Sequence, residues 1–98
     1  MRFGLTQEQS NFIQDNVVAP IAKLGGRVFV YGSRARGDHK RFSDLDLMVE
    51  FNSSLYPSLA HIQELLQNSN FPYKVDLVPY PEFAEAYRKS YQKEKVLW

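Results

Sequence analysis

The chain has 98 residues, 44% of them apolar and 23% charged, with a formal net charge of +1. That composition fits an ordinary globular domain and leaves no overall basic field to attract nucleic acid or a membrane surface. Cysteine is absent, which excludes disulfides and thiolate chemistry and suits a reducing cytoplasm. No apolar run approaches the about 20 residues needed to cross a bilayer. Met1-Arg2-Phe3-Gly4 carries no apolar signal region. The expectation is one cytoplasmic domain over residues 1–98.

In chain order, Thr6 followed by Gln9 forms a capping-box pattern, so a helix is predicted to begin there. Ile13, Val17, Ile21 and Leu24 give it a buried stripe at helical spacing. Pro20 removes a donor and clashes with the preceding turn, which predicts a kink or restart near Val18 and Ala19. Gly25-Gly26 ends the helix. Val28 to Tyr31, β-branched and aromatic, reads as a short central strand. Gly32 to Ser43 reads as a polar loop with room for one helical turn. Leu45 to Phe51 is a second strand by strict alternation: Leu45, Leu47, Val49 and Phe51 on one face, Asp44, Asp46, Met48 and Glu50 on the other.

A helix near Pro57 to Gln67 carries Leu59, Ile62, Leu65 and Leu66 at helical spacing. Lys74 to Tyr80 is a third strand. From Pro81 a last helix is predicted toward Lys95, with Phe83, Tyr87 and Tyr91 four apart. The closing Val96-Leu97-Trp98 is apolar enough to be read either as an interface or as simple packing. The fold class is α/β (α+β), a small mixed sheet backed by helices in the order α-β-(loop)-β-α-β-α.

The chemistry concentrates in "YGSRARGDHKRFSDLDL", Tyr31 to Leu47. Residues two apart on a strand point the same way, about 6.6 Å apart along it, so Asp44 and Asp46 aim two carboxylates at one place. Unpaired they repel; a hard divalent cation removes the conflict, and magnesium is commonly held by one or two carboxylates plus substrate phosphates. Asp76, inside the apolar run "KVDLVPY", is costly to bury alone and joins the cluster if its strand lies beside the second. Gly32 permits close backbone approach, and the amides after it, with the Ser33 hydroxyl, make an anion pocket. Arg34, Arg36, Lys40 and Arg41 add positive charge. A phosphate cradle beside an acid cluster suits a nucleoside triphosphate with magnesium. His39 and His61 stand alone and have no zinc-ligand spacing.

Gly32-Ser33, ten residues, then Asp44-Leu45-Asp46, and a later lone strand aspartate resemble the nucleotidyltransferase superfamily of DNA polymerase beta. Within it, "YGSRARG…SDLDLMV" resembles the minimal nucleotidyltransferases, many of them antitoxins paired with an all-helical HEPN partner. The resemblance implies the nucleotidyltransferase fold, with Gly32 and Ser33 on the triphosphate. It also implies two magnesium ions on Asp44 and Asp46, and Asp76 as third ligand and base. It implies an enzyme moving AMP from ATP to a tyrosine of a cognate toxin, as the antitoxin of a type VII-like toxin–antitoxin pair. So short a chain has little left to build an acceptor site, so a partner or a second copy must bring the hydroxyl. Two other functions remain open: a non-catalytic antitoxin that acts by contact, and transfer to nucleic acid or another hydroxyl compound. Near-neutral charge speaks against a nucleic-acid track.

Overall fold

The computed structural model describes residues 2–98. Thr6 caps the first helix as its pattern predicts. Its Oγ1 accepts the Gln9 N–H at 3.1 Å, and the Gln9 side chain accepts the Thr6 N–H at 2.9 Å. The helix runs as α1 (Gln7–Ile13), a π-helical segment Gln14–Val18, and α2 (Ala19–Lys23). Pro20 explains the interruption: it cannot donate, and a regular turn would press its ring on the carbonyl four residues back. The widened turn makes room, and the Ala19 N–H reaches back to the Gln14 carbonyl. The restart falls at Ala19, where the sequence placed it. Gly25, at φ +90°, ends α2 by donating to the Ala22 carbonyl.

Among the described residues four strands follow: β1 (Gly26–Tyr31), β2 (Leu45–Phe51), β3 (Val75–Pro79) and β4 (Val96–Leu97). They form one sheet in the order β3-β2-β1-β4. β1 runs antiparallel to β2 and β4, whereas β2 and β3 are parallel. Between β1 and β2 lies the one-turn helix α3 (Ser33–Arg36), and between β2 and β3 lies α4 (Ala60–Gln67). The chain closes with α5 (Arg88–Glu94) before β4.

The alternation of β2 sorts the two faces of the sheet. Leu45, Leu47 and Val49 join Val28, Val30, Ile13, Val17, Ile21 and Ile62 in the main core, under the helices of one face. Burying each such side chain contributes about 1.5–3 kcal/mol, so this cluster holds the sheet together. The opposite face carries a much smaller cluster of Phe29, Met48 and Tyr91. Tyr91 is the main anchor of α5. It is buried, its ring meets Tyr31 and Phe83 edge-on at 5.5 and 5.8 Å, and its hydroxyl donates to Glu50. Burial, then that hydrogen bond, raises the Tyr91 pKa. This second face is covered at the Phe29–Met48 end and leaves the Tyr31–Asp46 end for the site.

Two expectations are corrected, and the apolar end finds a place within the chain's own packing. The helix expected from Pro57 begins at Ala60. The long last helix is instead two 3₁₀ turns, Tyr80–Glu82 and Glu85–Tyr87, with α5 only from Arg88. Between the turns Phe83 and Ala84 are extended, which lets Phe83 lie against Tyr31 at 5.4 Å. The apolar end is a strand: β4 pairs with β1, Trp98 N–H donates to the Val28 carbonyl, and the indole stacks on Phe3 at 5.7 Å. Val96 and Leu97 nevertheless stay exposed. Among the described residues no helix is long and apolar enough to cross a membrane.

Candidate functional site

β2 and β3 lie side by side with Asp46 opposite Asp76 in register. In a parallel pair, residues in register share a face and sit on strands about 4.8 Å apart. The two carboxylates therefore project together from the open end of the second face. Asp44 precedes β2 by one residue and is exposed. Its charge still reaches Asp46. The Asp46 pKa is raised from 3.8 to about 6, first by burial, then by Asp76, then by Asp44, against smaller lowering by Arg36 and Lys74. Tyr31, paired with Asp46 across β1 and β2, is pushed up to about 12 by burial and by the same two aspartates, Asp46 and Asp76.

Gly32 closes this cluster from above. Its backbone sits at φ 74°, ψ −157°, a region open essentially only to glycine. A Cβ there would fall on the Asp46 carboxylate, far inside contact distance. The turn needs glycine twice over: for the dihedral and for the approach of Asp46. Ser33, half-buried, opens α3, and the amide N–H groups of Arg36 and Gly37 are spent on the carbonyls of Gly32 and Ser33.

The basic residues divide. Arg36 is exposed, and its Nη1 donates to Glu94 Oε2 and its Nε to Asp38 Oδ2, each at 3.1 Å. The other oxygen of Glu94 accepts the Gly32 N–H at 3.2 Å. A carboxylate from α5 thus holds both the amide at the turn and the nearest guanidinium. No sequence signal pointed to Glu94; its role arises from α5 folding back, 62 residues along the chain.

Arg34, expected at a phosphate, is turned inward. It is 2% exposed; its Nε and Nη2 donate to the Ser43 carbonyl and its Nη1 to the Phe3 carbonyl. The guanidinium also lies 4.1 Å over the Tyr73 ring. It pins the end of the loop, just before Asp44, to the N-terminal segment. Lys40 and Arg41 are exposed, as is His61 on α4.

Among the described residues, two hollows lie near the site, the first of them walled by one of the three aspartates. One, of about 600 Å³, runs along β3 beside α4 and is walled in part by Asp76, Lys74 and Tyr73. The other, of about 440 Å³, lies beside Gly32, Arg36 and Glu94, against the rings of Tyr31, Phe83 and Tyr87.

The donor set suits a hard divalent cation. Burial and the two neighbouring aspartates raise the Asp46 pKa more than Arg36 and Lys74 lower it, an imbalance a cation would relieve. Among the described residues no three acidic or histidine side chains are grouped so as to hold a metal by themselves. An arrangement of two in-register carboxylates with a third at the rim matches the way magnesium is shared between protein and substrate phosphates.

Comparison with known proteins accords with this geometry. The family described as "Nucleotidyltransferase domain" matches residues 13–98. A protein of Methanocaldococcus jannaschii named as protein adenylyltransferase MJ1379 is 33% identical over 73 residues, spanning 72% of this chain and 73% of that protein. A protein of Haemophilus influenzae named as protein adenylyltransferase MntA is 31% identical over 71 residues, spanning 71% of this chain but only 62% of that protein. A chain from a crystal structure of a toxin–antitoxin with AMP-PNP superposes with a TM-score of 0.62, over 96% of this chain and 73% of that one, at 19% identity, a likeness of fold. With the glycine turn, the in-register aspartates and the mixed sheet all in place, the chain belongs to the nucleotidyltransferase domain family, as a minimal nucleotidyltransferase.

Proposed function

We propose that the chain moves AMP from ATP to a hydroxyl of a partner protein, a tyrosine of an all-helical HEPN-type toxin. It would act in the cytoplasm as the antitoxin of a type VII-like pair. The observation that carries this reading is the register of Asp46 with Asp76 directly below the Gly32 turn. The names of the two relatives and of the structural neighbour support the choice of protein acceptor and toxin partner.

The site residues divide the work. Asp44 and Asp46 would hold two magnesium ions, and Asp76 would share one of them. Magnesium, when bound, supplies neutralisation of phosphate charge and a Lewis acid at the phosphoryl group. The Gly32 N–H and the Ser33 hydroxyl take phosphate oxygens, and Arg36 exchanges Glu94 for the polyphosphate, a better match for its fork. Asp76 orients the attacking hydroxyl and accepts its proton. The oxygen forms a bond to the α-phosphorus as the bond to the β-phosphate oxygen breaks, and pyrophosphate departs. The hollow along the free edge of β3 gives an incoming side chain a route to Asp76 from the side away from Gly32.

The test is transfer of label from α-labelled ATP, with magnesium, to the protein encoded beside this one. Label on the partner, lost in Asp46→Asn and Asp76→Asn while the fold stays intact, is the expected result. No label on the partner with a folded wild-type chain overturns the reading. If Asp76→Asn silences the partner as well as wild type does, contact alone is the mechanism.

A further inference from the structure

The hollow beside Gly32 is built from parts of different character. Gly32, Arg36 and the Glu94 carboxylate stand at the polar end; Tyr31, Phe83, Tyr87 and Tyr91, with Ser90, line the remainder. Its volume, about 440 Å³, lies within the about 300–1,000 Å³ of small-molecule sites. Phe83 meets Tyr31 edge-on at 5.4 Å and lies 6.3 Å from Tyr87 in a tilted arrangement. Tyr87 lines the hollow and is 64% exposed, so beyond its contact with Phe83 most of the ring is left open. The extended backbone at Phe83 and Ala84, between the two 3₁₀ turns, lets Phe83 reach Tyr31 in the wall of the hollow.

A ligand for such a hollow has a flat, weakly polar body at one end and anionic groups at the other. The polar end of the hollow is the Gly32 N–H and the Arg36 guanidinium, both now held by the Glu94 carboxylate, which marks that spot as one that receives an anion. Tyr31 bridges the halves: it lines the hollow and is the cross-strand partner of Asp46. We infer that this hollow takes the nucleoside of the nucleoside triphosphate, with the base against Tyr87 and Phe83 and the phosphates leading past Gly32 toward the aspartates. The inference rests on the reading of Gly32 and Ser33 as the triphosphate site and adds where the base lies. Stacking tolerates any base, so the hollow prefers nucleotides over inorganic polyphosphate more strongly than it prefers one base over another.

The experiment compares two ligands on the full chain by calorimetry, in magnesium: ATP and inorganic tripolyphosphate. Wild type binds ATP more tightly than tripolyphosphate. Tyr87→Ala, on an exposed side chain, weakens ATP by about five- to fiftyfold and leaves tripolyphosphate unchanged. Phe83→Leu does the same, with thermal melting as the check that the fold persists. Equal affinity of wild type for the two ligands, or a folded Tyr87→Ala that binds ATP normally, overturns the inference while the phosphate reading stands. If wild type binds neither ligand, the phosphate reading has failed and takes this inference with it.

Discussion

Asp46→Asn should make the metal-free protein more stable at neutral pH while removing its chemistry. The Asp46 carboxyl has its pKa raised from 3.8 to about 6 in the fold. A rise of that size corresponds to about 3 kcal/mol between the two protonation states. The group is partly exposed, so solvent screening reduces this to about 1–1.5 kcal/mol. The folded value lies above the unfolded one, so the unfolded chain releases the proton first as pH rises. Ionising Asp46 therefore costs stability between about pH 4 and pH 6, and the cost is fully present above that window.

Asparagine keeps the shape and never ionises. Urea unfolding at about pH 7.5, without metal, should show Asp46→Asn more stable by about 1–1.5 kcal/mol, or about 5–10 °C in melting temperature for a domain of this size. The gap should close by about pH 4. Added magnesium with ATP should narrow it from the other side, by stabilising wild type alone. A variant no more stable than wild type at neutral pH, or a gap that persists at low pH, would mean that Asp46 carries no such ionisation cost in the fold.

Gly32→Ala should lower stability by about 1–3 kcal/mol, because it combines a forbidden dihedral with collision against Asp46; melting curves and loss of ATP binding check it. Arg34→Met should destabilise by about 3 kcal/mol, since the Ser43 and Phe3 carbonyls lose their buried donor. The ATP affinity of the molecules that remain folded should hold, as calorimetry below the melting range would read. Glu94→Gln should tighten ATP binding, because the triphosphate no longer competes with a carboxylate for the Gly32 N–H and Arg36; unchanged or weaker binding would make the contact purely structural.

What could be read in advance followed from local physics. The alternation of β2 gave its limits and faces because a period of two admits few other readings, and Thr6 with Gln9 fixed the start of α1. Pro20 announced its own disturbance, and the glycine of the Gly32 turn declared its backbone. What escaped depends on contacts between distant parts of the chain. Arg34 sits beside the glycine turn in sequence, so it looked like a phosphate ligand; its carbonyl partners, 31 and 9 residues away, draw it inside. The four-residue spacing of Phe83, Tyr87 and Tyr91 imitates a helix. The second face of the sheet offers Phe83 a better place in extended form, against Tyr31. A strand as short as β4 has no periodicity to detect; it exists because β1 has an edge to pair. For the same reason Glu94 gave no sign of reaching Gly32.

The most direct measurement of the central claim is a crystal of this chain grown with manganese and a non-hydrolysable ATP analogue, with anomalous scattering used to find the metal. A metal peak is expected between the Asp46 and Asp76 carboxylates, with phosphate oxygens of the analogue reaching it from beside Gly32. Nucleotide bound elsewhere, or metal that shuns both aspartates, would contradict it.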